Sequence, residues 1–484
     1  MDYAPALGLD EEVLFQPGKN CWKPPAFASG SLLVDGTAYY SDLYKTLLLA
    51  QERVFIQGWD FCSEVELPTP QSADGKTSIP LSELLLKLVD DRPHLEVKIL
   101  IWDAKPYFSR FRESQDDAKT VLAHPRIQLV FDSHLPTFAS FHQKLVVIDS
   151  SIAYVGGIDL TANRMDDRRH SPKNDEASEK KYGKFLPIHD VQLRLTGSAA
   201  SDIAEMAREN WWRATGLQLE SAVPRMELAS SAEFKWAPAV ISRTRARWQE
   251  WEEVREIEAL LPNLIRSAKK YIYIECQYLS SDTVTAALRE SLQRPQGPEI
   301  VIVTGKTHHG WWEKRTLGIM RNRQIQKLRA DDQHGRFDIF HPSLPGCEDD
   351  FCVHSKLILV DGRYACVGSA NLTNRSLGLD TECCVTFDFG GAVEGDELPS
   401  KWCQQLLAEH LDCAVDEIQS ALAAHGSILK VIEAKRATSG TQRTLCRLGS
   451  EDEDRIGRLL LGKKWADPSE ALRGQKFFYK WMNT

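Results

Sequence analysis

The apolar positions of this chain change their period in a fixed order, and that order occurs twice. A segment with helical spacing leads into a β-branched and aromatic run at residues 41–61, and again at residues 259–279. In each half there follow a second apolar run (95–103; 298–306), a helical segment (111–124; 316–332) and a third apolar run (126–132; 336–342). Strands that alternate with helices predict α/β repeats. We therefore expect two pseudo-symmetric halves with mixed, largely parallel sheets flanked by helices.

A fourth apolar run in each half carries the same polar residues, in FHQKLVVIDSSIAYVGGIDL (141–160) and VHSKLILVDGRYACVGSANL (353–372). The matched positions, each 212 residues apart, are His142 and His354, Lys144 and Lys356, Asp149 and Asp361, and Gly157 and Ser369. In a strand, His142 and Lys144 would share one face, and a buried ammonium group is costly unless it meets an anion or a partner. Pseudo-symmetry would bring the two His-Lys pairs together where the halves meet. The result would be a pocket that suits a phosphodiester.

Composition further limits the classes of protein that this chain can belong to. The chain has 484 residues, which suits two repeats of about 200 residues each. Its net charge of -9 argues against a nucleic-acid binder. The 11 cysteines have no C-x-x-C spacing, and those within apolar runs, such as Cys276, Cys352 and Cys366, are predicted to be small core residues in a reducing compartment. Neither a signal peptide nor a run of 18 apolar residues is visible, which predicts a cytoplasmic protein at synthesis.

The paired H-x-K…D motifs resemble the HKD signature of the phospholipase D superfamily. The resemblance covers roughly residues 20 to 425. It includes VFIQGWDF (54–61), GGIDL (156–160), HDVQLRL (189–195), YIYIECQYL (271–279), DTECCV (380–385) and LLAEHL (406–411). GGIDL is similar to the first motif of eukaryotic and many bacterial phospholipases D. The resemblance implies one active site, at the interface between the two α/β halves.

It also implies a covalent mechanism that needs no metal. One imidazole attacks phosphorus and forms a phosphohistidine, while the second donates a proton to the leaving alcohol. In the superfamily the first motif usually supplies the nucleophile, so His142 would attack and His354 would protonate. The sequence itself leaves these two roles open. Lys144 and Lys356 would balance charge in the transition state. No carboxylate cluster has metal-binding spacing along the sequence, and no cofactor is expected.

Each catalytic histidine needs a carboxylate to fix its tautomer. In the superfamily these partners come from a strand after each motif and cross between the halves. The matching residues pair Asp190 with His354 and Glu382 with His142, and Asp380 competes with Glu382 for its place. Two further carboxylates precede turns and are predicted to be structural: Asp149 and Asp361.

The residues expected to bind substrate are Asn371, Ser369, Gly157, Gln277, Trp311 and Trp312. Asn371 matches the superfamily's phosphate-binding asparagine, whereas the first motif has Asp159 there, and an acidic side chain would repel a phosphate oxygen. Ser369 offers a hydroxyl, Gly157 only backbone, and Gln277 lies in a stretch near the pocket. The two tryptophans in HHGWW are expected at the level of lipid headgroups, with simple packing as the alternative.

The chain is divided into an N-terminal extension (1–30), a first half (31–217), a second half (218–425) and a C-terminal tail (426–484). The charged loop at 166–184 either covers the active site or is a solvated insertion. The aromatic, basic end of the tail either packs on a domain or touches a membrane surface.

These features predict a phospholipase D. The enzyme would hydrolyse glycerophospholipids to phosphatidic acid and a free headgroup, with transphosphatidylation to alcohols. A cardiolipin-synthase-type phosphatidyltransferase is the nearest alternative, although most such enzymes carry N-terminal membrane helices. A nuclease of the same superfamily would need a basic groove, and a degenerate binding protein would not keep every motif position intact.

The expected partners are a phospholipid membrane surface, contacted peripherally, and a water or alcohol acceptor. We expect no nucleic acid and a monomeric protein. A phospholipase free among its own membranes is hazardous, which motivates the hypothesis that the protein is exported as an effector.

Overall fold

The fold is described from a computed structural model, which covers residues 14–70, 77–104, 115–170, 186–222, 232–306, 314–344, 352–390, 397–438, 443–449 and 467–470. The strands are β1 (Ala26–Val34), β2 (Arg53–Gly58), β3 (Glu66–Pro68), β4 (Ser78–Pro80), β5 (Glu96–Trp102), β6 (Ile127–Asp132), β7 (Leu145–Ile148), β8 (Ile152–Gly156), β9 (Ile188–His189), β10 (Val191–Gly197), β11 (Phe234–Arg245), β12 (Val254–Arg255), β13 (Tyr271–Glu275), β14 (Glu299–Val303), β15 (Phe337–Ser343), β16 (Cys352–Val353), β17 (Leu357–Val360), β18 (Tyr364–Gly368), β19 (Glu382–Asp388) and β20 (Thr444–Arg447). The α-helices are α1 (Asp35–Leu47), α2 (Leu81–Asp91), α3 (Gln115–Val121), α4 (Ser198–Thr215), α5 (Glu256–Ser267), α6 (Asp282–Gln293), α7 (Ile319–Asp331), α8 (Asn374–Gly378), α9 (Leu398–His410), α10 (Val415–His425) and α11 (Ile428–Thr438). A 3₁₀ turn covers Ala162–Arg164 and a π-helical turn covers Lys314–Gly318.

One large sheet runs through both halves of the molecule. Its order is β20-β15-β14-β13-β17-β18-β19-β11-β1-β10-β8-β7-β2-β5-β6, and β12 pairs with β11. The central pair, β11 and β1, joins the halves. Apart from β20 at one edge, the strand order on one side of this pair mirrors the order on the other. The predicted mixed α/β architecture with two pseudo-symmetric halves is confirmed.

The parallel part of the sheet is smaller than the alternation of elements suggested. Parallel pairs in the large sheet are limited to β2-β5-β6 and β13-β14-β15, and its other described pairs are antiparallel. Two of the antiparallel pairs come from tight turns. Asp149 and Ser150 before β8, and Asp361 and Gly362 before β18, have positive φ angles, so the strand after each H-x-K segment folds back on the next as a hairpin. The halves also share one sheet, where a sheet in each half was expected.

Alternate side chains of the central strands enter different cores. Leu145 and Val147 of β7 join a core that both halves share, which α4 and α9 cover. Val146 and Ile148 face the opposite side of the sheet, in the core of the first half with α1 and α2. Helices α5, α6 and α7 form the equivalent core of the second half. Burial on both faces explains why these strands read as continuous apolar runs.

The ends of the chain contribute to the fold. Strand β1 begins at Ala26, inside the segment expected to be an N-terminal extension, while α11 and β20 lie inside the expected tail. Strand β20 pairs antiparallel with β15 at the sheet edge. Four predicted features lie outside the described residues: residues 171–184 of the charged loop, Trp311, Trp312 and the aromatic chain end.

The described cysteines are all free, and Cys276, Cys352 and Cys366 are buried as predicted. Within the described ranges, we find no helix with the length and apolar character needed to cross a membrane.

Candidate active site

Each H-x-K segment is held in place by the opposite half. The H-x-K residues were predicted to lie within strands, but both segments end just before one. Strand β7 begins at Leu145 and β17 at Leu357. The His142 amide donates to the carbonyl of Thr381 at 2.9 Å, and the His354 amide donates to the carbonyl of His189 at 2.8 Å. In both cases the residue that follows the accepting carbonyl is the carboxylate expected to orient the histidine.

These carboxylates reach the histidines across the two halves. Both carboxylate oxygens of Glu382 lie 3.0 Å from Nδ1 of His142. Oδ2 of Asp190 lies 2.6 Å from Nδ1 of His354. Both carboxylates are buried. Contact through Nδ1 leaves Nε2 of each imidazole for chemistry.

Asp380, the alternative to Glu382 as the partner of His142, contacts Arg375 and Ser140 instead. Its two oxygens accept from the Arg375 guanidinium at 2.6 and 2.8 Å, and Oδ1 also accepts from the Ser140 amide at 2.8 Å. Burial raises the pKa of Asp380, but the Arg375 charge outweighs it, so the net pKa is lowered. The structure therefore favours Glu382 as the partner of His142.

Gly157 and Ser369, expected at the substrate, contact the carboxylates in this structure. A Cβ added to Gly157 would lie 2.1 Å from Oδ1 of Asp190, so glycine leaves room for that carboxylate. The hydroxyl of Ser369 donates to Oε2 of Glu382 at 2.5 Å. The amides of Gly157 and Ser369 already donate to backbone carbonyls. These equivalent positions thus support Asp190 and Glu382.

The two lysines have different surroundings. Nζ of Lys144 lies 3.2 Å from Oδ2 of Asp159, and both side chains are buried. Lys356 donates to the His354 carbonyl, and no carboxylate of the described chain lies within ion-pairing distance of its ammonium group. The position equivalent to Asp159 is Asn371, whose buried Oδ1 has no hydrogen-bond partner among the described residues. Only one of the two ammonium groups is therefore neutralised by a direct ion pair.

Comparisons with known proteins agree with this arrangement. The family profile described as "Phospholipase D" matches residues 46–252, and the profile described as "Cardiolipin synthase, PLD-like domain" matches residues 261–391. The chain belongs to the phospholipase D superfamily. Enzymes of this superfamily act on phosphodiesters, and the two matched segments contain the two H-x-K motifs.

Relatives in this superfamily are distant and longer than the matched region. Phospholipase D1 of Saccharomyces cerevisiae is 22% identical over 80% of this chain and 29% of its own length. Phospholipase D alpha 3 of Arabidopsis thaliana is 22% identical over 71% of this chain and 58% of its own length. The crystal structure of a phosphatidylserine synthase from Haemophilus influenzae has the same fold, with a TM-score of 0.52 and 12% identity, over 86% of this chain and 96% of that one.

The electrostatics of this superfamily site disfavour the protonated form of both imidazoles. Burial lowers the pKa of His142 well below its usual value, and the Lys144 and Lys356 charges lower it further. Burial and the Lys356 charge act in the same direction on the pKa of His354. Burial lowers the pKa of Lys356 to about 8, and burial raises the pKa of Glu382 to about 8. A neutral imidazole is the form that can attack phosphorus.

The remaining predicted residues are one with a local contact, two carboxylates that bind backbone amides, and two outside the described chain. The Gln277 amide donates to the Tyr278 hydroxyl at 3.0 Å. Trp311 and Trp312 are not described. Asp149 accepts from the amides of residues 51, 52 and 53 at 2.7–2.8 Å, and Asp361 does the same for residues 269, 270 and 271 at 2.7–2.9 Å. Both carboxylates therefore fix the start of a neighbouring strand.

Arg164 is a charged residue near the site that the sequence reasoning missed. It ends the 3₁₀ turn after the first motif, and its charge contributes to lowering the pKa of His354 after burial and the Lys356 charge. Its buried Nε has no hydrogen-bond partner in the described part of the chain. The sequence could have indicated this residue only through a break in the repeat, since the residue 212 positions later is Ser376 rather than an arginine.

Proposed function

We propose that this protein is a phospholipase D that cleaves the distal phosphodiester of a glycerophospholipid, releasing phosphatidic acid and the headgroup alcohol. The observation that carries the proposal is the pair of histidines, each held through Nδ1 by a buried carboxylate from the opposite half. The named relatives, which are phospholipases D, support this substrate class.

The proposed first step forms a P–N bond and breaks a P–O bond. Nε2 of His142 attacks phosphorus with its lone pair, and the headgroup oxygen leaves with the P–O electron pair. His354 supplies the proton for that oxygen, after the phosphate charge has raised its affinity for a proton. The positive charge that develops on His142 lowers the pKa of Glu382, which then stabilises that charge as a carboxylate.

The second step reverses these roles. His354, now neutral, takes a proton from water or an alcohol, whose oxygen attacks phosphorus and breaks the P–N bond. Water gives phosphatidic acid, and an alcohol gives a new phosphodiester. Lys144 and Lys356 face the phosphoryl oxygens, where each preorganised donor is expected to contribute roughly 100- to 1,000-fold to the rate.

The proposed environment is the surface of a phospholipid membrane, contacted by a monomer without crossing it. Neither a bound nucleic acid nor a cofactor is needed for the steps above. Asn371 is proposed to bind a phosphoryl oxygen through its amide nitrogen, since its neutral side chain replaces the carboxylate found at Asp159.

A phosphatidyltransferase is the second candidate. It is favoured by the match of residues 261–391 to the profile described as "Cardiolipin synthase, PLD-like domain". The same intermediate would then pass to the hydroxyl of a second lipid or a polar alcohol. The two candidates differ only in the acceptor.

The test is headgroup release from liposomes that contain phosphatidylcholine and phosphatidylethanolamine, with EDTA present. Wild type should release choline or ethanolamine, whereas His142→Ala and His354→Ala should be inactive. His134→Ala, which changes a half-exposed histidine paired with Asp132, is the matched control and should keep activity. Phosphatidylethanol should form when ethanol is added. A wild type that cleaves DNA or a simple phosphodiester but no lipid would overturn the substrate assignment.

A further inference from the structure

A second group of histidines and carboxylates lies beside the segment that carries Asp190, the partner of His354. It consists of Asp35 at the start of α1, His170, His189 in β9 and Glu409 in α9, and all four side chains are buried. We call these four residues the buried cluster. One ligand-type atom from each lies within 4.8 Å of all the others.

The distances within the buried cluster are those of a compact coordination shell. Nδ1 of His189 lies 2.7 Å from Oε1 of Glu409 and 3.2 Å from Oδ1 of Asp35. Nε2 of His170 lies 3.1 Å from Oε1 of Glu409 and 3.7 Å from Oδ2 of Asp35. Ligands about 2.0 Å from a tetrahedral Zn²⁺ are about 3.3 Å apart, which is close to the middle of this range.

Two of these buried atoms make no well-formed hydrogen bond. Nδ1 of His189 and Oδ2 of Asp35 are buried and have no hydrogen-bond partner among the described residues, although Nδ1 lies close to two carboxylate oxygens. Two members also have left-handed backbone conformations, with φ of 67° at Asp35 and 49° at His170. Such angles cost free energy in residues other than glycine and persist where the surroundings demand them.

The outer nitrogen of each histidine is held by a further carboxylate. Nε2 of His189 lies 2.8 Å from Oε2 of Glu275, and Nδ1 of His170 lies 3.2 Å from Oδ2 of Asp166. Histidines that bind metals commonly use their second nitrogen in this way, because the contact fixes the tautomer that exposes the ligating lone pair.

The region around the buried cluster is rich in acidic groups. The carboxyl groups of the buried cluster, together with Asp166 and Glu275, place four acidic side chains in one buried region around two histidines. Arg168 approaches the outer oxygen of Glu409 at 3.5 Å from a half-exposed position. Buried carboxylates without compensation are strongly destabilising.

We propose that the buried cluster binds one structural Zn²⁺ ion through His170 Nε2, His189 Nδ1, Glu409 Oε1 and a carboxylate oxygen of Asp35. Two nitrogen and two oxygen ligands suit this borderline ion. The four ligands are separated along the chain, which is why their spacing in the sequence gave no sign of a metal site.

The site would join the two halves directly behind the general acid. The Asp35 amide donates to the Asp190 carbonyl at 2.8 Å, and the His189 carbonyl accepts from the His354 amide at 2.8 Å. The ion would thus hold the backbone that presents Asp190 to His354, without contacting substrate. Its role is stability and positioning, and the chemistry proposed above needs no metal.

A neighbouring group offers a useful contrast. Nε2 of His410 lies 2.9 Å from Oε1 of Glu275, whose other oxygen accepts from the Ser355 hydroxyl at 2.7 Å. Glu275 therefore has its hydrogen bonds without an ion. This makes His410 a buried histidine in the same region that lies outside the proposed ligand set.

The test is the metal content of the full-length protein, purified without an affinity tag that binds metals and dialysed against metal-free buffer. We expect about one Zn²⁺ per chain. Refolding with EDTA should give a protein with a lower Tm, and added Zn²⁺ should restore it. A chain that holds less than about a tenth of an equivalent, and whose Tm is the same after refolding with Zn²⁺ or EDTA, would overturn the proposal in favour of protonated histidines.

Two variants locate the ion. His170→Asn should lose the zinc, while His410→Gln should retain it, with circular dichroism to verify that both are folded. Refolding the wild type with Co²⁺ should give the visible absorption of a tetrahedral site, which tests the ligand set even if His170→Asn fails to fold. Zinc lost from His410→Gln but kept by His170→Asn would refute the assignment. Because metal content is measured without lipid, failure of the proposed lipase activity would leave this test unchanged.

Discussion

Gly157 offers a sharp test of the account, because its lack of a side chain leaves room for a catalytic partner. Substitution by alanine would place a Cβ 2.1 Å from Oδ1 and 2.8 Å from Cγ of Asp190. Normal contact requires roughly 3.5 Å, so the carboxylate must shift by more than about 1 Å. Its 2.6 Å contact with Nδ1 of His354 cannot survive that shift.

The expected consequence is a loss of turnover rather than of binding. A displacement of about 1 Å in a catalytic group costs on the order of 100-fold, so kcat should fall at least that far while KM changes little. Gly449→Ala is the matched control, because a Cβ there meets nothing within 4 Å. Headgroup release measures the activity, and thermal melting verifies that both variants are folded.

A double variant makes the reasoning refutable. If Gly157→Ala acts only by moving Asp190, adding it to Asp190→Asn should cause little further loss, because both changes remove one interaction. Activity of folded Gly157→Ala within twofold of Gly449→Ala would refute the account. So would full additivity of the two losses in the double variant.

Three further predictions separate catalytic from structural residues. Glu382→Gln should lower kcat by roughly 100- to 10,000-fold with little change in Tm. Asp380→Asn should mainly lower Tm, because it leaves Arg375 without its buried partner. The reverse pattern would contradict the pairing of Glu382 with His142. Burial lowers the pKa of Lys356 from 10.5 to about 8. Between pH 8 and 10.5 the unfolded chain therefore binds a proton that the folded chain does not, so the free energy of unfolding rises with pH over this range. Lys356→Met should therefore be inactive but more stable at pH 7, by about 3 kcal/mol, and denaturant titrations at pH 7 and 10 should show the difference shrinking. Asp149→Ala leaves three strand amides without their acceptor, so it should lower the free energy of unfolding by about 1–3 kcal/mol in the same titration. It should leave kcat nearly unchanged at low temperature.

The sequence predicted those features that repeat or that depend on local pattern. The duplicated H-x-K segments gave the pseudo-symmetry, and the resemblance gave the pairing of each histidine with a carboxylate from the opposite half. The positions of Asp149 and Asp361 before turns predicted structural carboxylates, and each accepts from three backbone amides. These inferences need only the order of residues along each half.

Features that depend on contacts between distant segments were not accessible. The alternation of apolar runs suggested a largely parallel sheet, because an apolar run does not reveal the hairpin that reverses its direction. The difference between the lysines rests on the 3.2 Å contact of Lys144 with Asp159, which joins residues 15 positions apart through the fold. The buried cluster gathers Asp35, His170 and Glu409 from segments far apart in the sequence.

The most direct test of the central claim is to trap the covalent intermediate. Phosphatidyl-p-nitrophenol has a leaving group that needs no protonation, so His354→Ala should still form the phosphohistidine but hydrolyse it slowly. The account predicts a burst of about one p-nitrophenol per active site and a phosphatidyl adduct on His142 in peptides analysed by mass spectrometry. No burst and no adduct, or an adduct on a residue other than His142 in this variant, would contradict the proposed roles.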